Sequence, residues 1–312
     1  GDDAAQSRYI FTKLSPLTRT MFKQEDDCLC KSLDDDGYLI EPQYYYPVIP
    51  SILVNGCSGI GTGFSTDIPK FNPLDLANYI ISKIKGTASL NLKPWYRGFR
   101  GIIESISTHS YITKGCINRL RDNTIQITEL PVGTWTEKYI EFLDKVSVER
   151  GKETSKQFIR SYVDNSTETN VDITVKINPI TIDKFMNKIG KDGYPEIFNK
   201  LKLTTSLSLT NMHLFDKNSK IKKFSSIEDI INYWFPIRLE IYNLRRDYLI
   251  NKLKKELDII QFKVKFIEEI IADTIEIKNV KKKIIIESLE NKNYPKITLN
   301  NNEPSYDYLL GM

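Results

Sequence analysis

The sequence predicts an α+β protein in which a mixed α/β stretch runs into one long helix. Three observations carry that prediction. Short runs at 101–106, 111–117, 124–130 and 171–177 are rich in β-branched residues, are bounded by turn residues and read as strands. From Ile230 onward the apolar residues step by four and three, the period of a helix face. Between these regular elements and the acidic, aromatic start of the chain lies a glycine-dense loop, NGCSGIGTGFSTDI, at 55–68.

Composition bounds the rest. The 312 residues, 40% of them apolar, are enough for two or three domains or one elongated domain with a real core. Charged residues make up 27% and the net charge is +4, a mildly basic balance that suits nucleic acid and is shared by many soluble proteins. The cysteines are Cys28, Cys30, Cys57 and Cys116; the C-x-C pair has no second pair at zinc spacing, and the histidines are His109 and His213, so a structural zinc site is not expected. Reduced thiols in an intracellular setting are the default. No apolar run approaches the roughly eighteen residues of a membrane span, and no signal peptide is visible. The abundance of Lys, Ile and Asn fits an AT-rich genome and carries no mechanism. A start without Met, GDDAAQSRYIF, and an end at YDYLLGM are expected of a piece of a longer chain.

Taken in order, the first element of interest is Arg8-Tyr9. Such a pair occurs in ordinary strands. It is also what phosphoryl transfer through tyrosine needs, because a phenol with a pKa near 10 must be activated and a neighbouring guanidinium stabilises the charge that develops. Next come Glu25-Asp26-Asp27 and Asp34-Asp35-Asp36-Gly37. The second reads as a solvated Asp-Gly turn, with a Mg²⁺ ligand set as the alternative. The run EPQYYYPVIPSILV, punctuated by Pro47 and Pro50, delivers the chain into the glycine loop.

Gly56, Gly59, Gly61 and Gly63 surround one bare aliphatic residue, Ile60. The order G-x-x-G-x-G-x-G matches neither a Rossmann fingerprint nor a phosphate loop. Two readings stay open: a tight turn with Ile60 tucked into a local core, or a loop that holds Ile60 out as an apolar wedge between DNA base steps. After it, 71–85 has helical spacing at Leu76, Ile80 and Ile84. Lys93, Arg97 and Arg100 then interleave with Trp95, Tyr96 and Phe99, which suits a nucleic-acid backbone and equally an edge strand with solvated cations. Residues 147–170 are charged and Ser/Thr-rich and are expected to form a surface excursion.

Residues 226–290 read as helical. Ile230, Trp234, Ile237, Ile241, Leu244 and Tyr248 form one stripe, which resumes after a slip at Leu249, Leu253, Leu257, Ile260, Val264, Ile267 and Ile271. Pro236 is expected in the first turn of the long helix, where proline is tolerated. The length predicts a coiled-coil arm whose return helix lies beyond residue 312; a buried core helix is the alternative.

Several of these stretches together resemble one family. EPQYYYPVIPSILVNGCSGIGTGFSTDIPKFNP is similar to the breakage-reunion region of type IIA DNA topoisomerases of the eukaryotic kind, and AAQSRYIFT to the loop bearing their active-site tyrosine. PWYRGFRGIIE at 94–104, ITELPVGTWTEKYIEFL at 127–143, LTTSLSLTNMHLFD at 203–216 and the closing YDYLLGM agree, in the same order along the chain. The resemblance implies an α+β arrangement. Residues 1–49 would end a winged-helix domain, 50–225 form a tower domain, 226–290 a coiled-coil arm, and 291–312 enter a carboxy-terminal dimer gate.

The resemblance also assigns roles. Tyr9 would be the nucleophile that forms a 5′-phosphotyrosyl link, and Arg8 its phosphate-stabilising neighbour. Ile60 would be the intercalating wedge, with Lys93, Arg97 and Arg100 on the DNA backbone. Where the family is expected to have proline before the Arg-Tyr pair, this chain has Ser7. The parent would be an ATP-dependent, Mg²⁺-dependent homodimer acting on double-stranded DNA, with no membrane association. Its location would be the nucleus if cellular, and host cytoplasm or nucleus if viral. Its acidic Mg²⁺ cluster and ATPase domain would lie outside these residues, leaving the piece alone inactive. The alternative is a non-catalytic DNA-bending and dimerising module.

Overall fold

The computed structural model describes residues 5–87, 92–121, 123–148, 158–190, 192–298 and 303–311. A 3₁₀ turn at Ser7–Tyr9 leads to helix α1 (Thr18–Met21), a 3₁₀ stretch at Gln24–Leu29, strands β1 (Ser32–Asp35) and β2 (Tyr38–Pro42), and α2 (Ser51–Asn55). There follow β3 (Cys57–Gly61), β4 (Phe64–Ile68), α3 (Pro73–Ile84), β5 (Ile102–Ser107), β6 (Ser110–Lys114), β7 (Cys116–Arg119), β8 (Thr124–Glu129), α4 (Thr136–Val146), β9 (Ile159–Asp164) and β10 (Ile173–Ile177). The chain continues with α5 (Pro179–Asn187), α6 (Glu196–Lys200), β11 (Thr204–Ser208), β12 (Met212–Phe215), β13 (Ile221–Phe224), α7 (Ile227–Ile271), α8 (Lys282–Asn291) and α9 (Asp307–Leu310). These elements fall into two compact units, one of residues 1–24 with 46–237 and one of residues 25–45 with 238–312.

In the first unit, two-residue alternation builds an antiparallel sheet in the order β7-β8-β10-β9. Ile173 faces Ile127 and Val175 faces Ile125 across one ladder, while Val175 faces Tyr162 and Ile177 faces Ile159 across the other. Directly opposed residues share a face, so these side chains form one apolar surface. Tyr139 and Leu143 of α4, Ile182 of α5 and Ile197 of α6 cover it. A second sheet has the order β11-β6-β5. A second core gathers Leu53, Ile68, Phe71, Leu76, Met212 and Phe224 with Ile227, Ile230 and Ile231 from the first turns of α7.

In the second unit β1 and β2 form a hairpin. Residues 238–271 of α7 carry Phe266 into a third core with Ile275, Ile285, Leu289, Tyr294 and Tyr306. Helix α7 has 45 residues, which at about 1.5 Å per residue is ~67 Å. On it Ile230 and Ile241 are buried, but Leu244, Tyr248, Leu253, Leu257, Ile260, Val264, Ile267 and Ile271 are all exposed, so the stripe from Leu244 onward is not the face of a buried core helix.

Four expectations need correction. The run 111–117 is two strands in two sheets, divided at Gly115, where a Cβ would lie 2.3 Å from the Glu129 carbonyl oxygen. Residues 159–164 are no excursion: they form β9, with Ile159 fully buried, while 149–157 lie outside the described residues. Pro236 is inside α7, not in its first turn. The helix starts earlier because Ser226 Oγ accepts from the Asp229 N–H at 3.1 Å and Asp229 accepts from the Ser225 N–H at 3.2 Å, a capping arrangement written in the sequence as Ser-x-x-Asp. The helical stretch is not continuous to 290, since it stops at Ile271, where Asp273 takes φ 55°, and resumes at Lys282. Asp34-Asp35-Asp36-Gly37 forms the turn expected of it, in which Asp34 Oδ1 accepts from the Gly37 N–H at 3.0 Å.

Candidate nucleic-acid interface

Tyr9 sits at the end of a 3₁₀ turn and is 71% exposed. The turn is closed by the Tyr9 N–H donating to Gln6 O at 2.9 Å and the Ile10 N–H donating to Ser7 O at 3.1 Å. Arg8 Cζ lies 5.2 Å from the centroid of the Tyr9 ring, so the guanidinium reaches the phenol face instead of pointing away. Gln6 takes φ −61° and ψ 138°, the extended conformation that a proline at position 7 would enforce. Ser7 therefore keeps the loop's shape and gives up only its restriction. An exposed phenol with a cation against it is equipped to attack an electrophile delivered from solvent, and a charged phosphodiester is attracted to the same spot.

The glycine loop is a β-hairpin. Cys57 pairs with Ile68, Gly59 with Thr66, Ile60 with Ser65 and Gly61 with Phe64. Ile60 is 94% exposed, which removes the reading that tucks it into a local core. Gly56 opens the hairpin at φ 67° and ψ 174°, a region open in practice to glycine alone, and a Cβ there would lie 2.8 Å from the Ile68 carbonyl oxygen. Gly61 is required for another reason: a Cβ would lie 2.6 Å from the Phe64 ring, which packs across it. The hairpin thus lifts one aliphatic side chain clear of the protein surface.

Lys93, Arg97 and Arg100 are all at the surface, but they differ in freedom. Arg97 and Lys93 have no ion-pair partner among the described residues. Arg100 is tied down: its Nη2 donates to Thr128 O at 2.9 Å and its Nε to Glu129 Oε2 at 3.5 Å. The segment is pinned by the Trp95 N–H donating to Lys70 O at 2.7 Å and turns at Gly98, φ 83°. Burial pushes the Tyr96 phenol up, partly offset by its hydrogen bond from the Lys70 backbone. Arg97 lines a cleft of about 410 Å³ with Tyr96, Phe99, Thr134, Thr136 and Asn170. Its polar hydroxyls, amide and cation suit an anionic backbone.

Sequence reading missed two groups. Asp26, noted only as part of an acidic stretch, is 3% exposed and bound by Arg238 at 2.7 Å and Arg245 at 3.2 Å. The signal was the Arg-x₆-Arg spacing on the helix, which puts both guanidinia on one face. The LTTSLSLTNMHLFD stretch was noted only for its resemblance, yet its Asn211 and His213 bond the Ile60 hairpin. Among the described residues no three His, Cys, Asp or Glu side chains converge where a metal could be held. No helix of the described residues is long and apolar enough to cross a membrane.

With this geometry in hand, comparison with known proteins is direct. All 312 residues match the profile of the family described as the A-subunit of DNA gyrase/topoisomerase IV. The chain is 42% identical over 294 residues to DNA topoisomerase 2 of Plasmodium falciparum, covering 94% of this chain and 20% of that protein. It is 38% identical over 296 residues to DNA topoisomerase 2 of Saccharomyces cerevisiae (95% and 20% covered), and 34% identical over 370 residues to that of Acanthamoeba polyphaga mimivirus (100% and 29%). The chain thus spans about a fifth to under a third of the length of these relatives. Among solved structures, the crystal structure of the Plasmodium falciparum topoisomerase II DNA-binding, cleavage and re-ligation domain is similar at TM-score 0.83 and 39% identity, covering 100% of this chain and 44% of that one.

Proposed function

The chain belongs to the DNA gyrase/topoisomerase IV A-subunit family, with relatives among the eukaryotic type II enzymes, and from that premise we propose that it is part of the breakage-reunion core of a type II DNA topoisomerase. The observation that carries the reading is Tyr9, exposed at the end of a tight turn with the Arg8 guanidinium against its ring. In this mechanism the Tyr9 phenol oxygen attacks a backbone phosphorus and loses its proton. The bond from phosphorus to the 3′ oxygen breaks, that oxygen leaves as a hydroxyl, and a 5′-phosphotyrosyl ester forms. Attack of the same hydroxyl on the ester reverses the step and reseals the strand. The ester keeps the energy of the bond it replaced, so resealing needs no separate energy source. Arg8 offsets the extra negative charge on the phosphate in the transition state.

Ile60 acts as the wedge that unstacks a base step and bends the duplex, while Lys93 and Arg97 track its backbone and Arg100, bonded to Glu129, lends charge from a fixed position. Strand passage belongs to the parent homodimer. The exposed stripe of α7 is read as one half of a coiled-coil arm that a later part of the chain completes. In this scheme 1–49 end a winged-helix domain, 50–225 form the tower and 291–312 enter the dimer gate. The described residues do not fit a Mg²⁺ site, since no three His, Cys, Asp or Glu side chains converge among them. The Mg²⁺ and ATP that the family implies are assigned to parts of the parent outside this chain, and the parent to the compartment that holds its DNA.

The test uses the full-length protein with DNA and Mg²⁺. The reaction is stopped with denaturant, and the nucleotide-bearing peptide is located by mass spectrometry. DNA on Tyr9, and loss of covalent DNA with retained binding in Tyr9→Phe, are expected. DNA on another residue, or none while supercoiled DNA is being relaxed, refutes the assignment and leaves a DNA-bending module.

A further inference from the structure

We propose that Asn211–Phe215 is the mount that holds the Ile60 hairpin in its working orientation, with Asn211 and His213 as positioning residues for DNA bending; the inference rests on the wedge reading of Ile60. A two-stranded hairpin is marginal by itself. Ile60, 94% exposed, has almost no packing of its own, so any force on it in a base stack is resisted only through the backbone of β3 and β4. Something must hold that backbone.

The bonds that do so converge on the residues opposite Ile60. Its cross-strand partner is Ser65. Ser65 Oγ accepts from Asn211 Nδ2 at 2.9 Å. Asn211 Oδ1 faces His213 Nδ1 at 3.1 Å and accepts from it in the tautomer that carries the proton on Nδ1. The next two residues of β4 are held as well: the His213 N–H donates to Thr66 Oγ1 at 3.2 Å and the Asp67 N–H to Asn211 O at 2.7 Å. Phe64 closes the other side. Its ring lies across Gly61 and meets His213 at 6.5 Å and Phe215, edge to face, at 6.3 Å.

The mount is itself anchored. Met212 is fully buried in the second core, and β12 pairs with β13, whose Phe224 is 3% exposed. Four consecutive hairpin residues, 64–67, are therefore tied to one short segment, Asn211 and the strand β12 that follows it, rooted in the core. That arrangement keeps the tip from folding back when it is pressed against stacked bases.

The experiment measures bend angle by fluorescence energy transfer on end-labelled duplexes, and affinity separately, with the full-length protein. Ser65→Ala is expected to lower the ratio of bent to straight bound DNA about fivefold, the effect of one hydrogen bond, and Asn211→Ala, whose side chain makes two, at least as much, while affinity changes less than about twofold. His213→Ala should do the same, and His213→Asn should restore bending, because its amide nitrogen can stand where Nδ1 stood. Ile60→Ala is the reference. If Ile60→Ala lowers bending but Ser65→Ala and Asn211→Ala do not, the mount is refuted and the wedge stands. If Ile60→Ala leaves bending unchanged, the wedge reading falls and the mount with it. Should Asn211→Ala unfold, Ser65→Ala, which removes only a hydroxyl, decides.

Discussion

Replacing Asp26 should destabilise the second unit far more than its place in an acidic stretch implies. Asp26 and Arg238 are each 3% exposed and 2.7 Å apart. Arg245, with its side chain 24% exposed, approaches the other carboxylate oxygen at 3.2 Å. The two arginines stand one above the other on α7, and Tyr242 between them takes both guanidinia on its ring, at 4.0 and 5.0 Å. In Asp26→Asn the shape is kept and the negative charge lost. Arg238 is then left as a buried cation facing a neutral amide, which costs roughly 3–5 kcal/mol. At about 1.4 kcal/mol per decade that is a more than hundredfold loss in the folding equilibrium. Arg245 can swing into water, so Arg245→Met should cost about 1 kcal/mol or less. Urea unfolding followed by circular dichroism measures each variant. The double variant Asp26→Asn with Arg238→Met should recover much of the loss, because neither charge is stranded. High salt should change the result little, since the pair is shielded from solvent ions. A cost below about 1 kcal/mol for Asp26→Asn, or equal costs for Arg238→Met and Arg245→Met, would refute the reasoning.

Other outcomes follow from local geometry. Gly56→Ala puts a side chain at φ 67°, ψ 174° and against the Ile68 carbonyl, so a loss of at least ~1–3 kcal/mol and a distorted hairpin are expected, whereas Gly59→Ala, whose Cβ meets open space, should stay within ~0.5 kcal/mol; thermal melts compare them. The carboxyls of Asp229, Asp216 and Asp307 are held below the usual range, chiefly by the Ser225 hydroxyl, the Lys220 N–H and the Ser305 hydroxyl respectively. A lowered folded pKa means that the unfolded chain binds protons more readily. The stability these groups contribute is therefore present above about pH 4 and is lost as pH falls through their folded values. Acid melts should show that loss, and Asp229→Asn should flatten it; an unchanged slope would remove Asp229 from the account. On the alkaline side the Tyr194 phenol is pushed up to about 12 by its hydrogen bond to Glu104. Its contribution is full below about pH 10 and fades above it, and Tyr194→Phe should abolish that part of the alkaline slope.

Local chemistry made much of this protein legible from its sequence. Alternation at Ile125/Ile127 and Ile173/Val175/Ile177 specifies strands with one buried face, and the structure supplies them. The four-three stripe specifies a helix, and the glycines of 56–63 specify a reversal. Arg8 and Tyr9 are neighbours in the chain, so their pairing needed no fold to bring it about. These are short-range matters, decided by dihedral preference and by which side chains a regular element sets on one face.

Tertiary structure decided what no local rule could. Whether Ile60 points in or out depended on which chain packs beside the hairpin, and that chain, Asn211–Phe215, comes from far along the sequence and bonds the strand opposite. Nothing near Asp26 in the sequence marks it for burial, since its neighbours are acidic; burial became possible only when α7 brought two guanidinia to it. Gly115 broke one apparent strand into two because the Glu129 carbonyl passes too close for any side chain. Pro236 was carried inside a helix because Ile227, Ile230 and Ile231 gain burial in the second core and draw the helix start back to Ser226. The physical reason is common to all four. A residue's intrinsic preference is worth up to about a kcal/mol, whereas burial, ion pairing or a close backbone approach is worth several, and those depend on residues distant in sequence.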